Sequence, residues 1–178
     1  MILAAARERF GAVGFQGATI RAIAADAGID PAMVMRYYGS KDKLFAAAAE
    51  FDLRFPDFAA TDSAQVGRSL VRHFLERWEG DEALVILLRS SATNGEAAQR
   101  MQEIFGTQIR PLVSSLVPPE EVTVRAGLIA TQILGMALCR FVLRLPPVVE
   151  MTRDEIVDWL GPTIQRYLGL PDGLTRET

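Results

Sequence analysis

Between Thr19 and Tyr38 the chain reads TIRAIAADAGIDPAMVMRYY, and the junction in its middle, Gly28-Ile29-Asp30-Pro31, leaves the flanking residues few ways to fold. Ile20, Ile23, Ala24 and Ala27 recur at helical spacing and put one apolar stripe on a first helix, with Thr19 as its N-cap. Gly28 stops that helix, because glycine accepts the left-handed conformation that ends one. Asp30 followed by Pro31 is an N-cap with proline at the first helical position, so a second helix runs from about Pro31 to Tyr38, and Ile29 plugs the angle between the two. Helix, tight turn, helix is the unit that lays its second helix in the DNA major groove, where base edges carry the sequence code. The sequence therefore predicts a DNA-binding protein.

Helical periodicity continues on both sides. Leu3, Ala6, Phe10 and Val13 share a face of an opening helix that ends near Gly11 and Gly14. After Tyr38, Ser40 is placed to cap a fourth helix lined by Leu44, Ala47, Ala48, Phe51 and Phe55 and ended by Pro56. Both lysines of the protein, Lys41 and Lys43, fall in its first turn, where ammonium groups and free backbone N–H groups share an anion-binding site. Residues 56–63 read as a hinge, with Asp62 or Ser63 starting the next helix. Val71, Phe74, Leu75 and Trp78 form a stripe that Gly80-Asp81 breaks. Ala83 to Leu88 is an unbroken apolar run, which implies a helix buried on most sides. Asn94 caps a helix carrying Met101, Ile104, Phe105, Gln108, Leu112 and Leu116, which Pro111 must kink or end. Pro118-Pro119-Glu120-Glu121 opens a long helix to about Leu145, closed by Pro146-Pro147. Thr152-Arg153-Asp154-Glu155 is a capping box for a last helix with Ile156, Trp159, Leu160, Thr163 and Tyr167 on one side. The fold class is all-α, about nine helices, with no strand pattern.

The long helix has two apolar seams. Ala126, Ile129, Ile133, Met136 and Arg140 form one; Val124, Leu128, Thr131, Gly135, Leu138 and Val142 form the other. One seam suffices for a monomer, so the second must meet another body, and Gly135 would let a helix approach closely. Pairing the last two long helices across a two-fold axis makes a four-helix homodimer interface. Its expected residues are Ile129, Ile133, Met136, Arg140, Trp159, Thr163 and Tyr167.

Composition narrows the chemistry. The 178-residue chain carries net charge −3, split as +1 over residues 1–55 and −4 over 56–178, which speaks against a protein that coats nucleic acid nonspecifically. One cysteine, Cys139, excludes an internal disulfide and a multi-cysteine metal site, and no cofactor or metal is expected. With one histidine, His73, and no Gly-rich phosphate loop, no catalytic constellation stands out. The N-terminus lacks a secretory pattern and the uncharged stretch Ala126–Cys139 is too short for a bilayer, so the expectation is a cytoplasmic protein with no membrane partner. Trp78, Phe105 and Met136 are candidates to line a pocket for an apolar effector, or are plain core. Arg89 and Arg140, charges on apolar helices, are candidates to meet an anionic effector group or a carboxylate.

ILAAARERF, GFQGATIRAIAADAGID and VMRYYGSKDKLF follow one another between Ile2 and Phe45 in an order and spacing that resemble the TetR family of bacterial transcriptional regulators. RAGLIATQILGMALCRFVLRLPP and the helix ending PTIQRYL look more loosely like that family's C-terminal domain. The resemblance implies a three-helix DNA-binding domain with its linking helix over 1–55 and an effector-binding and dimerisation domain over 56–178. It places phosphate contacts on Thr19, Tyr37 and Lys41 and candidate base contacts on Pro31, Ala32, Met35 and Arg36, with Arg21 on the preceding helix. Arg36 is the best candidate for guanine, since a guanidinium bonds O6 and N7 together. The family often has a small Gly-like residue at the place of Ala32, aromatics at Met35 and Arg36 and histidine at Tyr37, so the base sequence read cannot be borrowed from a relative. Members usually carry a basic arm before the first helix, whereas this sequence begins inside that helix, so either the arm is absent or it precedes Met1. The function implied is a dimeric repressor on double-stranded DNA, released from a palindromic operator by a small-molecule effector. The alternative is a helical protein-protein interaction module without sequence-specific DNA binding.

Overall fold

The computed structural model describes residues 1–58, 61–80 and 82–171, and the described residues are helical almost throughout. In chain order the helices are α1 (Ile2–Gly17), α2 (Ile20–Asp26), α3 (Pro31–Tyr38), α4 (Lys41–Ala48), α5 (Val66–Gly80), α6 (Glu82–Ser91), α7 (Gly95–Ile104), α8 (Arg110–Ser114), α9 (Val122–Ala137), α10 (Pro146–Glu150) and α11 (Arg153–Leu168). Two compact units result, and neither is a continuous stretch of chain. One is Met1–Phe51 with Asp81–Ile104; the other is Asp52–Gly80 with Phe105–Thr178.

In the first unit the expected caps all form. Thr19 Oγ1 accepts from the Ala22 amide at 3.1 Å, Asp30 Oδ1 from Ala32 at 2.7 Å and Ser40 Oγ from Lys43 at 3.1 Å. Gly28 adopts φ 66° and Gly39 φ 78°, the left-handed region that a side chain rarely enters. Ile23 and Ala24 of α2 and Val34 of α3 are fully buried. α1 departs from expectation at its end. Gly14, at φ 71° and ψ 175°, breaks the helical geometry, so Val13 is exposed and Phe15, not Val13, reaches the aromatic cluster of Phe10 and Phe45. Two arginines of α1 brace its neighbours: Arg7 Nε donates to the Ala48 carbonyl at 2.8 Å, and Arg9 Nε pairs with Asp26 Oδ2 at 2.7 Å. That hydrogen bond holds the Asp26 carboxyl below its ordinary range. α6 packs its apolar run on α1, where Arg89 Nη1 donates to the Gly11 carbonyl at 2.7 Å. Asn94 caps α7, accepting from Ala97 at 2.8 Å.

The fourth helix stops at Ala48, well before Phe55. Tertiary partners win over local helix propensity in the segment that follows. In the second unit, Leu53 donates its amide to Gln108 Oε1 at 2.7 Å, His73 Nε2 donates to the Leu53 carbonyl at 2.7 Å, and Arg77 Nη2 donates to the Asp52 carbonyl at 2.8 Å. Asp52 also accepts from the Arg54 amide, and Arg54 sits at φ 50°. His73 is thus committed to the backbone.

α5 and α11 form the closest helix pair of the second unit. They meet at Gly67 and Gly161: a Cβ built on Gly67 would lie 2.5 Å from the Gly161 carbonyl oxygen. Gln165, buried at that crossing, accepts from the Gly67 amide at 2.6 Å and donates to the Ser63 carbonyl at 2.6 Å. Gly135 of α9, by contrast, has nothing within 4 Å of such a Cβ. Asp62 caps a short 3-10 turn, Ser63–Gln65, ahead of α5. A π-helical turn, Phe105–Ile109, precedes Pro111 and widens the backbone where proline offers no donor. A second π turn, Leu138–Val142, ends the long helix before Leu145, and Pro146-Pro147 start α10 instead of merely closing α9. The capping box of α11 is present, with both Thr152–Glu155 bonds made.

On α9 the first seam faces inward. Ile129 and Ile133 are 0% and 1% exposed and belong to the core of the protomer. The second seam faces out, with Val124 65% and Leu128 41% exposed. By length and apolarity alone the stretch Pro119–Val142 would suffice to cross a bilayer, but here its inner side is core.

Candidate nucleic-acid interface

α3 is held from behind and open in front. Val34 inserts into the core, while Ala32, Met33, Met35, Arg36 and Tyr37 are exposed, Tyr37 to 67%. Pro31 is half-buried at the first helical position, where its fixed φ suits the start of a helix. The expected base-contact side chains Ala32, Met35 and Arg36 therefore stand on one solvent-facing helix surface, and Arg21 is exposed on α2. Met33, which the sequence pattern did not single out, is exposed beside them and shares a shallow apolar groove with Ile29, Tyr37, Tyr38 and Met1 to Leu3. No periodicity signals it: four of the eight residues of α3 are apolar by type apart from its tyrosines, and only packing shows which one turns inward.

The donors expected at phosphates lie at the start of α2, on α3 and in the first turn of α4. The Thr19 oxygen accepts within its cap, which leaves its O–H free to donate. Lys41 and Lys43 lie in the first turn of α4, directly after the Gly39 turn that ends α3. Arg21, Arg36, Lys41 and Lys43 form no ion pair among the described residues. Asp26, the nearest acid on α2, is neutralised by Arg9, and Asp30 is engaged by its cap. The surface that remains offers cations and hydroxyl donors, with Asp42, exposed between the two lysines in the first turn of α4, as a further acid; the cations outnumber it, which suits a polyanion.

The remaining candidates disperse. Trp78 is buried and stacked on Phe141 at 6.0 Å, with its Nε1 lacking a hydrogen-bond partner among the described residues; Phe105 is half-buried on the π turn. Only Met136 of the three lines the open groove between α9 and α11, together with Gly135, Cys139, Met151, Ile156 and Trp159. Arg140 Nη1 donates to the Val148 and Met151 carbonyls at 2.6 and 2.9 Å and so caps α10, and its Nη2 lies 3.8 Å from the Glu79 carboxylate. Trp159 is 77% exposed, and Thr163 and Tyr167 are half-buried. No group of three or more metal-ligating side chains occurs among the described residues.

Two family signatures cover most of the chain. The bacterial regulatory proteins of the tetR family match residues 2–48, and the Tetracyclin repressor-like C-terminal domain matches residues 64–168. This chain belongs to the TetR family of bacterial transcriptional regulators. The TetR fold recurs in solved structures of similar extent. A TetR-family regulator from Streptomyces coelicolor A3 is 27% identical, with TM-score 0.61 over 94% of this chain and 92% of that one. A TetR-like transcriptional regulator from Rhodococcus sp. RHA1 is 26% identical, with TM-score 0.65 over 94% and 93% of the two chains. A second transcriptional regulator from that Rhodococcus shares 21% identity, with TM-score 0.73 over 97% of each chain. No curated relative matches the sequence. As a TetR-family protein it is a DNA-binding regulator, and α2 and α3 are its helix-turn-helix.

Proposed function

We propose that this protein is a dimeric cytoplasmic repressor that binds a palindromic operator through α3 and leaves it when a small molecule binds the C-terminal part of the chain. The carrying observation is α3 itself, anchored by Val34 and presenting Ala32, Met35, Arg36 and Tyr37 to solvent. In this reading residues 1–55 bind DNA and 56–178 dimerise and take the effector. Arg36 reads guanine, Ala32 or Met35 touches a thymine methyl, Pro31 and Arg21 border the bases, and Thr19, Tyr37 and Lys41 hold phosphates. The exposed seam of α9, Val124, Leu128 and Leu138, with Trp159 of α11, supports dimerisation, because an apolar surface of that kind is costly in water.

A dimer must set its two recognition helices about 34–36 Å apart to reach successive major grooves, so the operator is a palindrome with half-sites one turn apart. An effector weakens binding only if it prefers a state that spaces them differently. Selection from a random-sequence duplex library tests this reading. Recovery of a palindrome whose half-sites lie one turn apart supports it, and recovery of unrelated sequences overturns it.

A further inference from the structure

Phe10, Phe15 and Phe45 form one cluster, but only two of the three rings are fully enclosed. Phe10 and Phe45 are buried, edge-on at 5.0 Å; Phe15 stacks on Phe10 at 6.0 Å, meets Phe45 edge-on at 5.2 Å and stays half-buried. Over the Phe15 ring, 4.3 Å from its centroid, sits Nζ of Lys41. Two backbone features bring them together. The left-handed Gly14 takes the chain out of the helix just before Phe15, and the Ser40 cap fixes Lys41 at the first helical position of α4. Asp42, the acid in that first turn, forms no ion pair with Lys41 among the described residues, and the ammonium rests on the ring instead.

We propose that Phe15 is a positioning residue for DNA binding, its ring a cation–π platform that holds the Lys41 ammonium at the N-terminus of α4 before a phosphate arrives. This rests on the reading of Lys41 as a phosphate contact. A lysine side chain is flexible and loses rotamer freedom when it is fixed on a ligand. The ring accepts one side of the ammonium and leaves its other N–H donors directed outward, so part of that ordering precedes binding. The platform also adds no negative charge at the phosphate, as an acidic partner would.

Because Lys41 and Lys43 are the only lysines, lysine-selective isotope labelling yields two side-chain signal sets, and Lys43 is an internal control. The platform predicts upfield-shifted Lys41 methylene signals from the ring current, unshifted Lys43 signals, and loss of the Lys41 shift in Phe15→Leu. Coincident Lys41 and Lys43 signals in the wild type overturn the proposal. Binding to a labelled random-sequence duplex over a salt series then gives a double-mutant cycle with Lys41→Gln. Phe15→Leu is expected to weaken binding about two- to fivefold per module when Lys41 is present and not at all when it is Gln. Phe15→Tyr, which keeps the ring face, restores affinity. An equal loss in both backgrounds overturns the platform and leaves Phe15 a structural residue. A salt dependence unchanged by Lys41→Gln instead overturns the phosphate reading of Lys41, and the proposal with it.

Discussion

A methyl group added at Gly67 has nowhere to go. It would press on the Gly161 carbonyl and the Gln165 backbone, none of which is the yielding end of a side chain. Gly67→Ala is therefore expected to destabilise the protein by about 1–3 kcal/mol in urea melts, the usual cost of overpacking. Gly135→Ala should leave the protomer as stable or raise its stability by up to ~1 kcal/mol, because alanine favours the helix and nothing stands in its way. The sequence pattern pointed to Gly135 and passed over Gly67 and Gly161, since a lone glycine in a helix does not say which neighbour approaches it. Arg140 was equally ambiguous, and only the fold shows its guanidinium on the α10 carbonyls. The caps at Thr19, Asp30 and Ser40 were legible because each is a local bond between a side chain and an amide two or three residues on.

At the scale of elements, the helix-turn-helix was readable to its ends, and α4 was not. Local signals set both bounds of α3, whereas α4 ends where Gln108, His73 and Arg77, distant in sequence, claim the backbone of residues 52 and 53. The start of α11 is again local and carries a pH signature. Glu155 accepts from the Thr152 amide and hydroxyl, and these bonds, the backbone one first, hold its carboxyl below the ordinary 4.5. A depressed folded pKa adds stability above the unfolded value and loses it as pH falls through the folded one. Glu155→Ala should thus lower the thermal midpoint at neutral pH, with the gap from wild type closing as the carboxylate protonates in acid. A gap of constant size across that range would show that the ionised capping box contributes nothing.

For the whole molecule, the proposed dimer rests on the exposed outer seam of α9. Its second stripe was evident from the sequence, but which stripe faced the core was not, because both were apolar and only packing against α5, α8 and α11 chooses between them. Leu128 is exposed in the protomer, so Leu128→Glu is expected to keep full helix content while sedimentation shifts from dimer to monomer. DNA affinity should fall with it, since one module then binds without its twin. An unchanged dimer would place the interface elsewhere.

Sequence reading by α3 is tested most directly by fluorescence anisotropy against DNA from upstream of the protein's own gene, with a scrambled duplex and Arg36→Ala in parallel. The expected result is tight binding to the native duplex over the scrambled one, and a loss of about 1–3 kcal/mol of that preference in Arg36→Ala, the usual worth of a bidentate guanine contact. A preference for the native duplex that survives intact in Arg36→Ala would contradict the assignment of base reading to this residue.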